Sequence, residues 1–241
     1  ARYHQLGFKV AKSTMRFMAS MVENKEIDEL APDRIWKETE EVLNSPNSYI
    51  YFQVLEECNA FSKIYPKMVI NYDALKLSAQ ITNQAEVHFA VMLFADSDLC
   101  DPNYIQKDHR NIIRNLAERL PLPNSFTELA DLIIHYEYYK DLLHINAEKI
   151  LTFLNKTDAF RRNERFRKLL KIFEIIEKNN SRSGKESGEK SLLIKQISES
   201  CDAIQIRKVV GEETDGQKIK KIIHQKKIDI INSQIAKKIP R

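Results

Sequence analysis

Residues 32–43 read PDRIWKETEEVL, and this stretch decides the fold class of the chain. Proline is tolerated in the first turn of a helix, where its missing N–H costs no hydrogen bond, so Pro32 marks a helix start. The side chains of one inward face then recur at helical spacing: Ile35, Trp36, Thr39 and Val42. The predicted helix runs from about Pro32 to Leu43, and the Ser-Pro-Asn sequence at 45–47 breaks it.

The same spacing continues on both sides of this helix. Ser13 is a candidate N-cap for a helix over 14–23, and another helix is predicted over about 48–58. Further helices are predicted at about 68–81, 84–95, 103–119, 125–141, 147–156, 160–178, 191–201 and 217–237, with a short β-prone piece at 203–210. We therefore predict an all-α fold, an elongated chain of many helices.

Composition limits the possible classes of protein. The 241 residues are 43% hydrophobic, which supports one large or two small folded domains. No run approaches the roughly 18 consecutive apolar residues that a membrane-spanning helix needs. The three cysteines, Cys58, Cys100 and Cys201, form no Cys-x-x-Cys pair, so the sequence supports neither a zinc knuckle nor a disulfide framework. A reduced, cytoplasmic location is expected.

Charge is divided unevenly along the chain. Residues 1–150 contain 16 Lys and Arg against 22 Asp and Glu, whereas residues 151–241 contain 22 against 12. A fold has no need of such a division, but a polyanion bound at one end of the molecule would favour it. The alternative is a Lys-rich surface that is merely solvated.

Two basic clusters lie in the positive part of the chain. The first consists of Arg161, Arg162, Arg165 and Lys168, and a helix over 160–178 would align three of these side chains. The second lies on the last predicted helix, opposite a stripe of isoleucines, and consists of Lys218, Lys220, Lys221, Lys226 and Lys227. Such clusters neutralise phosphates but carry little base specificity. The alternative for the last helix is an amphipathic element that docks on the rest of the protein.

A family resemblance rests on residues 32–66. The stretch PDRIWKETE at 32–40, followed by YFQVL at 51–55, ECNA at 57–60 and Tyr-Pro at 65–66, resembles the neck region of bacterial class II tRNA nucleotidyltransferases, the CCA-adding enzymes. In that region an Arg-x-x-x-Glu motif precedes a Phe-x-x-Leu-x-x-x-Gly-Ala stretch and a Phe-Pro or Tyr-Pro turn. Arg34 and Glu38 fill the motif here. Residues 1–8, ARYHQLGF, also resemble the end of the preceding family helix.

The resemblance implies roles for these parts of the chain. Arg34 and Glu38 would brace the neighbouring helix that selects the nucleotide, and their i,i+4 spacing allows a mutual ion pair. The implied division is a neck over 1–66, a body over 67–156 and a basic tail over 157–241. Residues 179–190, NNSRSGKESGEK, read as a flexible linker within the tail. In the family the tail contacts the tRNA elbow, so tRNA is the predicted partner.

The residues for nucleotidyl transfer are missing. That chemistry needs two carboxylates that hold Mg²⁺, and the family supplies them as an Asp-x-Asp pair after a glycine loop. The candidate at 96–98, Asp-Ser-Asp, has no such loop before it and is typical of cap and turn residues. We expect no metal or cofactor site in this chain. Mg²⁺, CTP and ATP would bind in a catalytic head that precedes it in the parent enzyme.

A second family activity, a His-Asp phosphohydrolase, is also not expected. Phe94-Ala95 stands where its His-Asp dipeptide would fall. The remaining histidines match no local ligand spacing and are each more typical of surface or satisfied core positions: His88, His109, His135 and His144. Other catalytic motifs, among them the glycine-rich phosphate loops, do not occur.

The sequence therefore predicts the C-terminal, tRNA-binding portion of a CCA-adding enzyme, which braces the nucleotide pocket. The parent enzyme would add C, C and A to tRNA 3′ ends from CTP and ATP, whereas this chain alone would not be catalytic. Two alternatives stay open. One is the neck and body of a poly(A) polymerase-like enzyme, and the other is a stand-alone RNA-binding or scaffold protein.

Overall fold

The computed structural model describes residues 2–3, 7–94, 102–142, 146–180 and 185–238, and all regular secondary structure within these ranges is helical. The predicted all-α class is therefore confirmed. The chain divides into two compact units. The first contains Ala1–Ile134 and Ile175–Arg182, and the second contains His135–Glu174 and Ser183–Arg241. Each helix within the described ranges is too short or too polar to cross a bilayer.

The first unit is built from eight α-helices and short 3-10 turns. The helices are α1 (Lys12–Glu23), α2 (Pro32–Leu43), α3 (Ser48–Glu57), α4 (Phe61–Ile64), α5 (Tyr72–Ile81), α6 (Ala85–Leu93), α7 (Pro102–Arg119) and α8 (Asn124–Asp131). The 3-10 turns are Glu26–Glu29 and Leu132–His135, the second of which ends at the first residue of the second unit. The predicted bounds of α2 are confirmed.

Helix α6 is the centre of the first unit. Eight of its nine residues are buried, so it is apolar on all sides, as befits a helix surrounded by others. It packs against α2, α5 and α8. At this junction the indole ring of Trp36 meets the rings of Phe89 and Phe126 edge to face, with centroid distances of 5.7 and 4.9 Å. Of the predicted inward face of α2, Trp36, Thr39 and Val42 are buried in the core, whereas Ile35 is only half-buried.

The second unit has six helices around an aromatic core. They are α9 (Tyr136–Lys140), α10 (Ala147–Lys156), α11 (Asn163–Asn180), α12 (Lys185–Asp202), α13 (Ile206–Val210) and α14 (Gly216–Lys238), and the last turns of α11 are grouped with the first unit. The core is formed by five buried rings: Tyr136, Tyr139, Phe153, Phe166 and Phe173. Helix α14 packs against α10, α12 and α13.

Several predicted boundaries were wrong. Helix α1 begins at Lys12, so Ser13 lies inside the helix and its side chain makes no capping hydrogen bond. The single helix predicted over 125–141 is three pieces, α8, a 3-10 turn and α9. The segment predicted to be β-prone, residues 203–210, contains helix α13. This helix packs against α14. Packing has overridden local propensity here.

The predicted linker is mostly helical. Helix α11 continues to Asn180 and α12 begins at Lys185, while residues 181–184 lie outside the described ranges. Lys190 is only 9% exposed, and its Nζ donates a hydrogen bond to the carbonyl oxygen of Lys140 at 2.9 Å. The neighbouring Ser191 is also buried and bonds to the Tyr139 hydroxyl at 2.7 Å. These tertiary contacts explain why a polar, glycine-containing segment is helical.

Two histidines of the first unit are satisfied core residues, as predicted. Both ring nitrogens of His88 reach backbone carbonyl oxygens, those of Leu43 and Thr82. His109 is buried, and its Nε2–H donates to the carbonyl oxygen of Ala130 at 2.8 Å. Burial lowers the pKa of His109 because the charged ring would lose its hydration.

The lowered pKa of His109 predicts acid sensitivity in the first unit. The unfolded chain takes up this proton near pH 6.5, before the folded protein does, so stability is lost as the pH falls below that value. Unfolding in urea at pH 7.5 and 5.5 can be followed by Trp36, which is the single tryptophan. His109→Gln keeps an N–H donor without titrating, so we expect a smaller loss at pH 5.5 than in the wild type. Equal losses in the two proteins would contradict this assignment.

Candidate nucleic-acid interface

The first basic cluster begins on a turn between α10 and α11. Arg161 and Arg162 are exposed and lie beside the carboxylate of Asp158, with N–O distances of 3.7 and 3.8 Å. Helix α11 begins only at Asn163. The predicted alignment of Arg161 with Arg165 and Lys168 on one helix was therefore wrong, because the turn comes first. Exposed ion pairs such as these are weak, so both arginines can exchange Asp158 for a phosphate.

The backbone of this turn is tightly fixed. Asp158 adopts a left-handed conformation with φ of 54°. The N–H of Asp158 bonds to Asn155 O, and that of Ala159 bonds to Leu154 O, at 3.1 and 2.9 Å. This pair of bonds is a Schellman motif, which satisfies carbonyl groups at the end of α10. The turn therefore presents its side chains from a defined position.

The other two members of the first cluster lie deeper. Arg165 is half-buried, and its Nη2 donates to the carbonyl oxygen of Thr157 at 3.3 Å. Arg165 therefore helps to hold the turn as well as adding positive charge. Lys168 is also half-buried. The opposite side of this helix faces the core with apolar residues that are at most 3% exposed: Phe166, Leu169, Leu170 and Phe173.

Four lysines of the second cluster are exposed on α14: Lys218, Lys220, Lys221 and Lys226. Lys218 also pairs with Glu213 at 3.6 Å. The lysines do not all lie opposite one isoleucine stripe, contrary to the prediction. Lys226 follows Ile222 by four residues and so shares its side of the helix. The reason is that α14 packs against three helices and buries Ile228 and Ile231 rather than a single continuous stripe.

Lys227 joins the two clusters. Its Nζ lies 3.5 Å from the centroid of the Phe160 ring, and Phe160 directly precedes Arg161. This contact is a cation–π interaction. Burial lowers the pKa of Lys227. It also raises the pKa of the neighbouring Cys201 thiol to about 11. The turn that carries Arg161 and Arg162 and the middle of α14 are therefore in contact within the second unit.

Two further contacts position α14. His224 Nε2 lies 2.9 Å from Glu148 Oε1 on α10, and Gln234 Nε2 donates to Ser200 Oγ on α12 at 3.2 Å. Both helices thus hold the lysine-bearing helix from its sides. The sequence did not indicate these contacts, because each joins residues far apart in the chain.

The Arg34 and Glu38 motif lies in the first unit, on α2. Glu38 is paired with Arg2, at an N–O distance of 3.0 Å, rather than with Arg34. Arg2 also contacts Glu41. The mutual ion pair that the spacing allows is therefore not formed. A residue from the start of the chain has replaced Arg34 as the partner of Glu38.

Arg34 and Glu38 instead line an open apolar groove of about 240 Å³. Its other walls come from α1, the first 3-10 turn, α3 and α4, and include Met18, Met21, Ile27, Tyr51, Leu55 and Ile64. Sequence reasoning did not find this groove. The methionines at helical spacing on α1 were the available signal, since most of that face stays only half-buried.

At position 59 this chain departs from the family pattern, and the backbone there has the left-handed conformation. Asn59 has φ of 62° and follows α3, where the family stretch has glycine. The N–H of Ala60 returns to Leu55 O at 2.8 Å, which closes the helix. Asparagine is, after glycine, the residue that best tolerates this conformation. The turn is therefore kept despite the change.

The residues of the body offer no metal-binding geometry in the described ranges. Within these ranges no three His, Cys, Asp or Glu side chains gather as potential ligands. Residues 96–98, the Asp-Ser-Asp candidate, and His144 lie outside them. The described donor sets therefore do not fit a divalent cation, and we assign no metal-dependent step to them.

Comparison with known proteins gives two kinds of relative. Residues 7–70 match the family described as "Probable RNA and SrmB- binding site of polymerase A". The chain is 26% identical over 263 aligned positions to the Multifunctional CCA protein of Haemophilus influenzae (strain PittGG), which covers 95% of this chain and 63% of that protein. It is 28% identical over 197 positions to the Multifunctional CCA protein of Psychromonas ingrahamii, covering 70% and 48%. No solved structure matches the chain.

The structure and these matches define first a helical protein in which residues 7–70 are similar to an RNA-binding family of polymerase A. More particularly, the chain is a relative of the CCA-adding enzymes, and the resemblance seen in residues 1–66 is confirmed. The chain spans about half to two-thirds of the length of these relatives.

Proposed function

We propose that this chain is the tRNA-binding portion of a CCA-adding tRNA nucleotidyltransferase. The basic surface of the second unit would hold the tRNA elbow. The observation that carries the proposal is the contact between Lys227 and Phe160, which holds the lysine-bearing helix α14 against the turn that carries Arg161 and Arg162. Basic side chains that neutralise phosphates attract a polyanion and release its counterions. Such a surface accepts many tRNAs, because phosphate contacts carry no sequence information.

We further propose that the first unit braces a nucleotide pocket. The match of residues 7–70 supports a contact with RNA in this unit as well. Arg2 ties the start of the chain to α2 through Glu38 and Glu41. In a longer protein, the helix before Arg2 would be held against α2 at this point. The pocket itself, with Mg²⁺, CTP and ATP, would belong to a catalytic head, where the metal supplies charge stabilisation for nucleotidyl transfer.

The proposal predicts salt-dependent binding of tRNA. Each lysine that contacts a phosphate adds nearly one to the slope of log K against log salt concentration. Changing Lys220, Lys221 and Lys226 to Gln should therefore lower the slope by about 2 to 3 and weaken binding about equally for all tRNA species. Fluorescence anisotropy of labelled tRNA across a salt series measures both quantities.

A matched control removes three positive charges elsewhere, two of them exposed and one, that of Lys76, half-buried. Lys76, Arg110 and Arg114 lie in the first unit, outside residues 7–70, and changing them to Gln removes the same charge. We expect this variant to keep nearly the wild-type slope. If both triple variants reduce the slope equally, binding follows net charge alone and the assigned surface is wrong. A wild-type protein that binds no tRNA at low salt contradicts the whole proposal.

A poly(A) polymerase-like role is the second candidate, and the description of the family matching residues 7–70 favours it. The two roles require different RNA partners. A CCA-adding relative should prefer folded tRNA, whereas a poly(A) polymerase-like protein should bind unstructured RNA of equal length at least as well. Competition between these two RNAs for the chain separates the candidates.

A further inference from the structure

Tyr138 is an outward-facing aromatic residue on a firmly held helix. It is 39% exposed, whereas its neighbours Tyr136 and Tyr139 on α9 are buried in the aromatic core. The ring of Tyr139 lies 4.7 Å from that of Phe173, and its hydroxyl bonds to Ser191 at 2.7 Å. The position of Tyr138 is therefore set by the core beneath it. More than a third of Tyr138 is thus open to solvent at a fixed position.

A cation from the end of α10 already lies over the Tyr138 ring. Lys156 Nζ is 5.3 Å from its centroid, and Lys156 is the last residue of α10, just before the Schellman turn. The same turn carries Phe160, Arg161 and Arg162. Lys156 therefore places one cation directly at the exposed Tyr138 ring, and two further cations follow within six residues on the adjoining turn.

We propose that Tyr138, with Lys156 beside it, forms a stacking site for an unpaired RNA base. The inference rests on the proposed RNA-binding function and adds a base contact to it. An aromatic face with flanking cations suits a nucleotide, because the base stacks on the ring while the cations meet its phosphates. In duplex RNA the faces of the bases are covered by their neighbours, so this site selects loops and single strands.

Stacking of this kind does not read base identity. Every base has an aromatic face, and alanine substitution at such platforms weakens binding by roughly tenfold. The site would thus complement the lysines of α14. The lysines supply affinity for any phosphate backbone, and Tyr138 supplies a preference for an open loop. Both properties suit a protein that must recognise all tRNAs by shape.

The test compares two RNAs on the full chain: a hairpin with an open loop, and a blunt duplex with the same stem. Wild-type protein should prefer the hairpin. Tyr138→Leu should weaken hairpin binding by about tenfold and leave duplex binding unchanged. Tyr138→Phe keeps the ring and should retain the preference. A fluorescent base analogue in the loop should be quenched by wild-type protein and by Tyr138→Phe but not by Tyr138→Leu.

The outcomes separate this site from the proposed function. If Tyr138→Leu leaves the hairpin preference intact while the α14 lysine variant weakens binding to both RNAs, the stacking site is wrong and the proposed function stands. The stacking site is also wrong if Tyr138→Leu weakens both RNAs equally. If wild-type protein binds neither RNA, both the site and the function are overturned.

Discussion

Replacing Phe126 by Ala should lower the free energy of unfolding of the first unit by about 3–5 kcal/mol. Phe126 is 3% exposed, and its ring meets those of Trp36 and Phe89. Removing it leaves a cavity between α2, α6 and α8, which the surrounding helices can close only in part. Residues 7–70, the part that matches the polymerase A family, include α2 and depend on this contact.

The single tryptophan makes this effect measurable in one unit. Trp36 lies at the mutated contact, so its fluorescence in a denaturant titration reports the first unit. Phe17→Ala is the matched control, because Phe17 is 65% exposed in the same unit and its loss should change stability by no more than about 0.5 kcal/mol. A loss below about 1 kcal/mol for Phe126→Ala would show that Phe126 is not part of the core.

Short-range sequence patterns correctly predicted those helices whose start and buried face are set by residues close together in the chain. Pro32 at the helix start and the spacing of Ile35, Trp36 and Val42 fixed α2, and the structure has the same bounds. The helix predicted over 147–156 has these bounds as α10, and the side chain of Asn146 caps it by accepting from the N–H of Lys149 at 3.1 Å. In these cases the residues that begin or bury a helix are neighbours in sequence.

The structural features that the sequence did not predict depend on contacts between residues far apart in the chain. Residues 185–190 were predicted as part of a linker from their polar composition. Lys190 is nevertheless buried, and it donates a hydrogen bond to the carbonyl oxygen of a residue fifty positions away. Glu38 pairs with Arg2 rather than with Arg34, although the i,i+4 spacing made Arg34 the nearer candidate. An exposed i,i+4 pair stabilises a helix by only a few tenths of a kcal/mol, so a second arginine readily displaces it.

Only part of the candidate RNA site could be predicted, because another part depends on contacts between residues far apart in the chain. A cluster of like charges can be recognised in the sequence itself, and the lysines of α14 were predicted in this way. The contact that joins Lys227 to Phe160 requires the packing of α14 against α10, which no local pattern shows. The acidic balance of residues 1–150 also gave no sign that residues 7–70 match an RNA-binding family.

Replacing Tyr139 by Ala should lower the stability of the second unit by about 3–5 kcal/mol. Tyr139 is fully buried and contacts α11 through Phe173 and α12 through Ser191. Its ring also lies 4.4 Å from Lys190 Nζ. Tyr139→Phe removes only the hydroxyl and should cost about 1 kcal/mol, because Ser191 keeps a bond to Leu170 O at 3.3 Å.

Hydrogen exchange can locate this loss within the unit. We expect Tyr139→Ala to reduce the protection of α12 amides around residues 190–198, because Tyr139 holds the start of that helix. Since α12 in turn supports α14, RNA binding should weaken at the temperature where α12 opens. Tyr138→Ala is the matched control: it changes the adjacent, exposed residue and should leave exchange in α12 unchanged. Equal exchange in α12 for wild type and Tyr139→Ala would mean that other contacts, and not Tyr139, order residues 185–191.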